Sequence, residues 1–279
     1  MLETLTARDG TPLRLRHWPA TGAVRGMVHL VHGLGEHSGR YETLARALNR
    51  AGWHAAGLDL RGHGESGGPR GGIPDSQALL SDLSLAIDRL RDIGAPGPHV
   101  LLGHSMGGLI AARFVAADLL GPAPTWFRQV DGLVLSSPAL DPGLNPFQRA
   151  LLKTLAPLAP RLAVSNGLKP AWICRDPDVV RRYIADPLVH DRVTPGLVRF
   201  IVESGRQVQS VAARWKLPTL LMWAGADRCV APAGSAAFAA AAPPALVTSQ
   251  PWPGLFHEIF NEPEREQVTT QLLEWLARY

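Results

Sequence analysis

Cysteine, lysine and long apolar runs are all scarce in this sequence of 279 residues. Its two cysteines, Cys174 and Cys229, exclude a framework of several disulfides and suit a reducing compartment. Only three of the 28 basic residues are lysines, and no run of like charge accompanies the net charge of +4, which argues against a nucleic-acid partner. No apolar run approaches the ~20 residues that cross a bilayer.

The N-terminus also lacks the apolar stretch of a signal peptide, because charged residues interrupt Met1–Asp9. We therefore expect a cytoplasmic protein, with contact at an anionic membrane surface as an open alternative for its mildly basic chain. Hydrophobic residues make up 46% and charged residues 19%, as in an ordinary globular enzyme. The length fits one large domain, or one domain with a smaller insertion.

Strand-like and helix-like segments alternate through the first half of the chain. The predicted strands are a hairpin of residues 3–8 and 13–18 around Asp9-Gly10, followed by residues 26–31, 53–58, 99–102 and 133–135. The predicted helices are residues 41–51, a segment capped by Asp75 or Ser76 that ends near Asp92, and residues 109–120. This alternation predicts an α/β fold, with a mostly parallel central sheet and helices on both of its faces.

The alternation stops after Ser137-Pro138. Residues 139–213 read as helices over 147–158, 178–185 and 194–212, whereas strand patterns return at residues 219–223 and near 246–248, before a last helix over 263–277. We therefore predict a core formed by residues 1–138 and 214–279. A helical cap, or lid, of residues 139–213 is inserted after the sixth strand.

A candidate nucleophile lies between a predicted strand and a predicted helix. Gly103–Gly107 has the pattern Gly-x-Ser-x-Gly, in which a sharp turn exposes the hydroxyl of the central serine, here Ser105. The glycines leave room for a strained backbone, and the following helix directs its free N–H groups toward the site. The pattern with this context predicts a serine hydrolase of the α/β-hydrolase fold.

A serine hydroxyl needs a general base, and the base needs a carboxylate that orients it. In this fold the chain order is serine, acid, histidine. Only His190 and His257 follow Ser105, and His257 lies in a loop between the last strand and the last helix, whereas His190 lies in the predicted cap. Asp227 follows a strand and precedes His257 by 30 residues, so we assign it as the acid, with Asp131 and Glu258 as competitors.

Two backbone N–H groups should stabilise the oxyanion that forms when the serine attacks a carbonyl. Met106, which follows the nucleophile, should supply one of them. The second should come from the loop His32–Gly35 after the third strand, and the N–H of Leu34 is the best placed. We expect His32, His63 and His104 to be structural hydrogen-bonding residues.

These segments resemble the monoacylglycerol lipase and lysophospholipase branch of the α/β-hydrolases. The resemblance spans nearly the whole chain, and its most specific motif is the ten-residue segment His32–Tyr41. The other matching segments are Asp59–Ser66, Gly103–Gly108, Ser137-Pro138, Asp186–Leu188 and Gly225–Arg228. The resemblance implies the catalytic residues Ser105, Asp227 and His257, with oxyanion donors at Leu34 and Met106.

The resemblance also implies a polar end of the substrate pocket for a glycerol head group. Glu36 and Arg40 would shape it, or would form a buried ion pair that holds their loop, and Tyr183 would reach the same region from the cap. The mammalian members have a second histidine three residues after the catalytic one, where this sequence has Phe260. Leu34 also replaces a smaller residue that is frequent in the family.

We therefore expect an ester hydrolase that acts on monoacylglycerols or related single-chain lipid esters and needs no metal or organic cofactor. Alternatives with the same machinery are a lysophospholipase, a short- or medium-chain carboxylesterase and an amidase or peptidase. A non-catalytic binding protein of this fold is a further alternative, which the complete set of catalytic residues disfavours. The apolar residues of 144–162 fit either a lid that contacts lipid or a helix packed on the core.

Overall fold

The computed structural model describes residues 1–94 and 96–279, and a twisted eight-stranded sheet forms its centre. The strand order is β1-β2-β4-β3-β5-β6-β9-β10. The pairs β1–β2 and β2–β4 are antiparallel, and every other neighbouring pair in this sheet is parallel. The strands are β1 (Leu2–Thr6), β2 (Pro12–Trp18), β3 (Gly26–Val31), β4 (Trp53–Leu58), β5 (His99–His104), β6 (Gly132–Ser136), β9 (Thr219–Ala224) and β10 (Val247–Trp252).

Helices cover both faces of the sheet, and this confirms the predicted fold class. They are α1 (Glu42–Arg50), α2 (Ala78–Asp92), α3 (Met106–Val115), α4 (Ala117–Leu120), α8 (Pro232–Ala241) and α9 (Arg265–Leu276). Strands β3, β5 and β6 are buried along their whole length, which explains their continuous apolar sequences. One large apolar cluster contains α3, whereas a second, on α1 and α9, includes Leu48 and Leu272.

The insertion between β6 and β9 contains three helices, α5 (Pro146–Leu158), α6 (Pro177–Ala185) and α7 (Pro195–Val211). A small separate ribbon is formed by β7 (Val164–Ser165) and β8 (Arg192–Val193). Helix α5 buries only Ala156, whereas α7 buries Leu197, Phe200 and Ile201 in the same cluster as α3. The boundaries 139 and 213 of the cap therefore stay a prediction, because α7 packs as a core helix.

Three local predictions were wrong. Helix α2 begins after Gln77 without a side-chain cap, because Asp75 accepts a hydrogen bond from the Gln77 N–H instead. The predicted helix 109–120 is two helices separated at Ala116. Helix α9 begins at Arg265 rather than at residue 263, and Glu262, which lies before it, is fully buried in an ion pair with Arg175.

Candidate active site

Ser105 lies at the sharp turn between β5 and α3. Its φ of 55° is in the left-handed region, which costs a non-glycine residue of the order of 1–3 kcal/mol and is typical of a functional constraint. The turn is held by the Ser105 N–H, which donates to the Ser136 carbonyl at 2.9 Å, and by the Ser105 carbonyl, which accepts from Ala139 at 2.9 Å. The hydroxyl therefore lies at the carboxyl end of the parallel strands, where α/β folds bind ligands.

Both glycines of the Gly-x-Ser-x-Gly pattern are required by close packing. A Cβ atom on Gly107 would lie 2.0 Å from the Val31 carbonyl oxygen, and one on Gly103 would lie 2.4 Å from the Gly107 oxygen. Neither contact is sterically possible without a shift of the backbone. The two positions therefore let α3 approach β3 and β5 closely enough to raise Ser105 above the sheet.

The histidine and the aspartate predicted from chain order meet at this serine. His257 Nε2 lies 2.8 Å from Ser105 Oγ, and His257 Nδ1 lies 2.6 Å from Asp227 Oδ2. Asp227 Oδ1 accepts hydrogen bonds from the N–H groups of Cys229 and Val230 at 2.7 and 3.1 Å, which fixes the carboxylate in one orientation. The three side chains form one continuous hydrogen-bonded chain.

Electrostatics favour a basic imidazole at His257. Burial alone would lower its pKa, but the charge and hydrogen bond of Asp227 outweigh burial and raise the pKa above its ordinary value. The neighbouring His104 ring, 4.7 Å away between centroids, behaves in the opposite way. Burial and the nearby His257 lower the pKa of His104 to about 4, so His104 stays neutral at physiological pH.

The competing candidates have other partners, although Glu258 also lines the Ser105 pocket. Asp131 accepts from the N–H of His99 at 2.7 Å, at the start of β5 and hence at the opposite end of the sheet. Glu258 is bound to Arg40, and His190 Nε2 lies 3.0 Å from the Gly62 carbonyl oxygen.

The loop after β3 brings the predicted oxyanion donors to the serine. Gly33 packs so closely that a Cβ atom on it would lie 3.1 Å from Ser105 Cβ, and Leu34 lines the same pocket. Within the described residues, the Leu34 N–H has no hydrogen-bond acceptor. Met106 is the first residue of α3, so its N–H has no acceptor within the helix. Both predicted donors are therefore free for a ligand at Ser105.

A buried carboxylate holds this loop in shape. Glu36 Oε1 accepts from the Gly33 N–H at 2.6 Å and from the Tyr41 hydroxyl at 2.7 Å, and its Oε2 accepts from Arg40 at 2.7 Å. Burial would raise the pKa of Glu36, but Arg40 above all overcomes this and lowers it to about 2. Arg40 also donates two hydrogen bonds to Glu258, which directly follows His257.

The four predicted substrate contacts divide between two cavities. Glu36 and Tyr183 line the pocket that contains Ser105, and this pocket encloses about 420 Å³ including its open mouth. Arg40 and Phe260 line an adjacent cavity behind it, which Glu36 also borders. The Tyr183 ring lies against the Arg40 guanidinium, whose central carbon is 4.8 Å from the ring centroid. Leu168, Lys169 and Ile173, from the segment predicted to form the cap, also line the Ser105 pocket.

Sequence reasoning missed the contacts that join residues 173–175, in the predicted cap, to the loop that carries His257. The Arg175 N–H donates to Glu262 at 2.6 Å, the Cys174 thiol donates to the Asn261 carbonyl at 3.2 Å, and the Glu258 N–H donates to the Ile173 carbonyl at 2.8 Å. These partners lie more than 80 residues apart in the chain. The only indication of these contacts in the sequence was the Glu262-Pro263 pair, and that pair is equally typical of the start of a helix.

The sheet topology, the strained serine between β5 and α3, and the serine–histidine–aspartate chain define the class of the protein, a hydrolase of the α/β-hydrolase fold. A family model described as "Serine aminopeptidase, S33" matches residues 22–264. The chain belongs to this family.

Relatives named as lipases or phospholipases match nearly the full chain. It is 34% identical to a monoacylglycerol lipase of Mycolicibacterium smegmatis, over 94% of this chain and 91% of that protein. It is also 34% identical to phospholipase YtpA of Bacillus subtilis, over 90% and 94% of the two chains. The crystal structure of a monoacylglycerol lipase from Paleococcus ferrophilus has a TM-score of 0.84 and 36% identity, and it covers 95% of this chain and 98% of its own.

Proposed function

We propose that this protein hydrolyses carboxylic esters of single acyl chains through an acyl-enzyme, with monoacylglycerols as its preferred substrates. The hydrogen-bonded chain Ser105–His257–Asp227 carries the proposal. The relatives named for monoacylglycerol lipase activity, which match over nine-tenths of the chain, support the substrate class. In this proposal the family's peptidase description applies to other members, and the ester is the substrate here.

Ser105 Oγ attacks the ester carbonyl carbon, while His257 Nε2 accepts the hydroxyl proton. Asp227 stabilises the resulting imidazolium, and the N–H groups of Leu34 and Met106 stabilise the negative oxygen. When the tetrahedral intermediate collapses, the bond to the alcohol breaks and His257 returns the proton to the leaving glycerol. Water then attacks the acyl-enzyme by the same route and releases the fatty acid.

Glu36 supports this mechanism as a positioning residue. It accepts the Gly33 N–H and so fixes the backbone next to Leu34, the residue that we propose as an oxyanion donor. We propose that Tyr183, rather than Arg40 or Phe260, contacts the head group. Tyr183 lines the Ser105 pocket, whereas Arg40 and Phe260 line the adjacent cavity and the Arg40 donors are engaged by carboxylates.

A lysophospholipid is the second candidate substrate. Lys169 lies exposed on the wall of the Ser105 pocket and, within the described residues, forms no ion pair. A phosphate-bearing head group would neutralise this charge. The relative named as a phospholipase supports the same candidate.

We further propose that residues 139–213 act as a cap and that α5 contacts a lipid surface. Apolar side chains stay exposed along this part of the chain, with Phe147 75% and Leu158 77% exposed. Leu151, Leu162, Val164 and Ile184 extend the exposed set. Within residues 1–94 and 96–279, no helix combines the length and apolarity needed to cross the bilayer. The contact proposed is therefore with the lipid surface.

The test is a hydrolysis panel with Ser105→Ala as the inactive variant and Ser76→Ala, at an exposed serine, as the matched control. The panel compares monoacylglycerols, lysophospholipids and p-nitrophenyl esters of graded chain length. We expect Ser105→Ala to lose hydrolysis of all of them and to lose labelling by a fluorophosphonate probe, whereas Ser76→Ala retains both. Near-native turnover by a folded Ser105→Ala variant would falsify the mechanism, and a preference for lysophospholipids would replace the proposed substrate.

A further inference from the structure

A thiol lies beside the aspartate and histidine of the candidate active site. Potential ligand atoms of Asp227, Cys229 and His257, one from each residue, all lie within 4.8 Å of one another. Cys229 and His257 also line the Ser105 pocket, so an ion that enters the pocket can reach both of them. The proposed hydrolysis gives the thiol no role.

We propose that these three residues form an inhibitory site for a thiophilic divalent cation, with Zn²⁺ as the best match. A carboxylate, a thiolate and an imidazole are together the ligand types that zinc prefers. The inhibitory role of this site rests on the proposed function, because a bound cation would block His257, the general base of that mechanism. The cation is an inhibitor here and takes no part in the hydrolysis.

A tetrahedral ion requires the ligand atoms to rearrange, because separations of up to 4.8 Å in the cluster would have to close by roughly 1 Å. Zinc lies about 2.3 Å from thiolate sulfur and about 2.0–2.1 Å from histidine nitrogen or carboxylate oxygen, so tetrahedral ligand atoms are ~3.3–3.7 Å apart. The hydrogen bond of 2.6 Å between His257 Nδ1 and Asp227 Oδ2 would have to open by less than ~1 Å. The open pocket leaves the fourth position to water.

Binding of the ion changes the protonation of the site. Zinc replaces the thiol proton of Cys229, which passes to solvent, and it displaces the Nδ1 proton of His257 to Nε2, so the imidazole stays neutral and no electrons are transferred. His257 Nδ1 then donates its electron pair to the metal, and Nε2, which now carries the ring proton, can no longer accept the Ser105 proton.

The first test measures inhibition of ester hydrolysis by Zn²⁺ in the wild-type protein and in two cysteine variants. Cys229→Ser removes the sulfur ligand, and Cys174→Ser is the matched control because that buried thiol is bound to Asn261 outside the cluster. Each variant is compared with its own zinc-free rate. We expect EDTA to reverse the inhibition and Cys229→Ser to weaken it on the order of 10-fold to 100-fold, with no change for Cys174→Ser.

The second test separates this inference from the proposed hydrolysis. Ser105→Ala retains all three ligands, so Co²⁺ added to it should give a thiolate-to-cobalt absorption band in the near ultraviolet. The double variant S105A/C229S should lack that band. If the band is present but the wild-type protein hydrolyses no ester, the proposed function fails and the metal site stands. Equal zinc inhibition of the wild-type protein and Cys229→Ser, or no thiolate band, overturns the metal site.

Discussion

Arg40 and Glu258 form a two-point ion pair that joins the oxyanion loop to the histidine loop. Arg40 Nη1 and Nη2 lie 2.6 and 2.8 Å from the two carboxylate oxygens of Glu258. Arg40 also binds Glu36, which holds the Gly33 N–H, and Glu258 directly follows His257. One guanidinium thus positions both the loop that stabilises the oxyanion and the loop that carries the general base.

Removal of this guanidinium should destabilise the protein. Arg40→Met leaves two buried carboxylates without their partner, and we expect the free energy of unfolding to fall by about 3–5 kcal/mol. The matched control is Arg46→Met, which breaks the exposed Arg46–Glu42 pair and should cost no more than about 1 kcal/mol. Urea unfolding of both variants measures the difference. Equal losses in the two variants would contradict a special role for Arg40.

A conservative change at Arg40 separates positioning from head-group binding. Lysine cannot satisfy both oxygens of Glu258 and also Glu36, so Arg40→Lys should lower kcat/KM by about tenfold or more through misplaced catalytic groups. The decrease should be the same for a monoacylglycerol and for a p-nitrophenyl ester. If KM rises only for the monoacylglycerol, Arg40 contacts the glycerol instead.

The pH profile of hydrolysis should report the Asp227–His257 pair. His257 must be neutral to accept a proton, and Asp227 raises its pKa. The acid limb of kcat/KM should therefore lie above pH 6.5, the ordinary value for histidine. Asp227→Asn removes the charge, so the limb should move to lower pH and kcat should fall by about 10⁴-fold. A wild-type limb at or below the ordinary value would contradict the assignment of Asp227.

Close packing at Gly107 should make that position intolerant of any side chain. The Cβ atom of Gly107→Ala would overlap the Val31 carbonyl oxygen, so we expect a loss of stability of about 1–3 kcal/mol or more, together with loss of activity. Gly254→Ala is the matched control, because no atom outside its chain neighbours lies within 4 Å of a Cβ placed there. Thermal unfolding and ester hydrolysis compare the two variants, and a stable, active Gly107→Ala would refute the packing argument.

Exposed apolar residues on α5 should control association with lipid. We expect the double substitution Phe147→Ser with Leu158→Ser to abolish cosedimentation with liposomes and to leave hydrolysis of a water-soluble ester unchanged. Ile93→Ser is the control, since Ile93 is exposed near Met27, at the end of the sheet away from Ser105. If the wild-type protein does not cosediment at low salt, the surface-contact proposal is wrong.

Local sequence patterns correctly predicted the strands that are buried on both faces of the sheet. Strands β3 and β4 have the predicted limits, because continuous apolar runs bounded by turn residues are typical of buried parallel strands. The start of α9 was mispredicted, because Arg175, 87 residues earlier, takes the Glu262 carboxylate into a buried contact. A sequence signal for the start of a helix depends on neighbouring residues in the chain, whereas the contact between Arg175 and Glu262 depends on the fold.

The chain order of the sequence by itself determined Ser105, Asp227 and His257 as candidates, since each follows a strand whose carboxyl end lies at the same edge of the sheet. Only the tertiary structure decided how Arg40 is used, because its partner Glu258 lies 218 residues away. Cys229 follows Asp227 by two residues, so the sequence alone indicated that it lies near the acid, whereas its proximity to His257 came from the tertiary structure. Periodicity and turn chemistry act over a few residues, whereas buried charges select their partners only after the chain has packed.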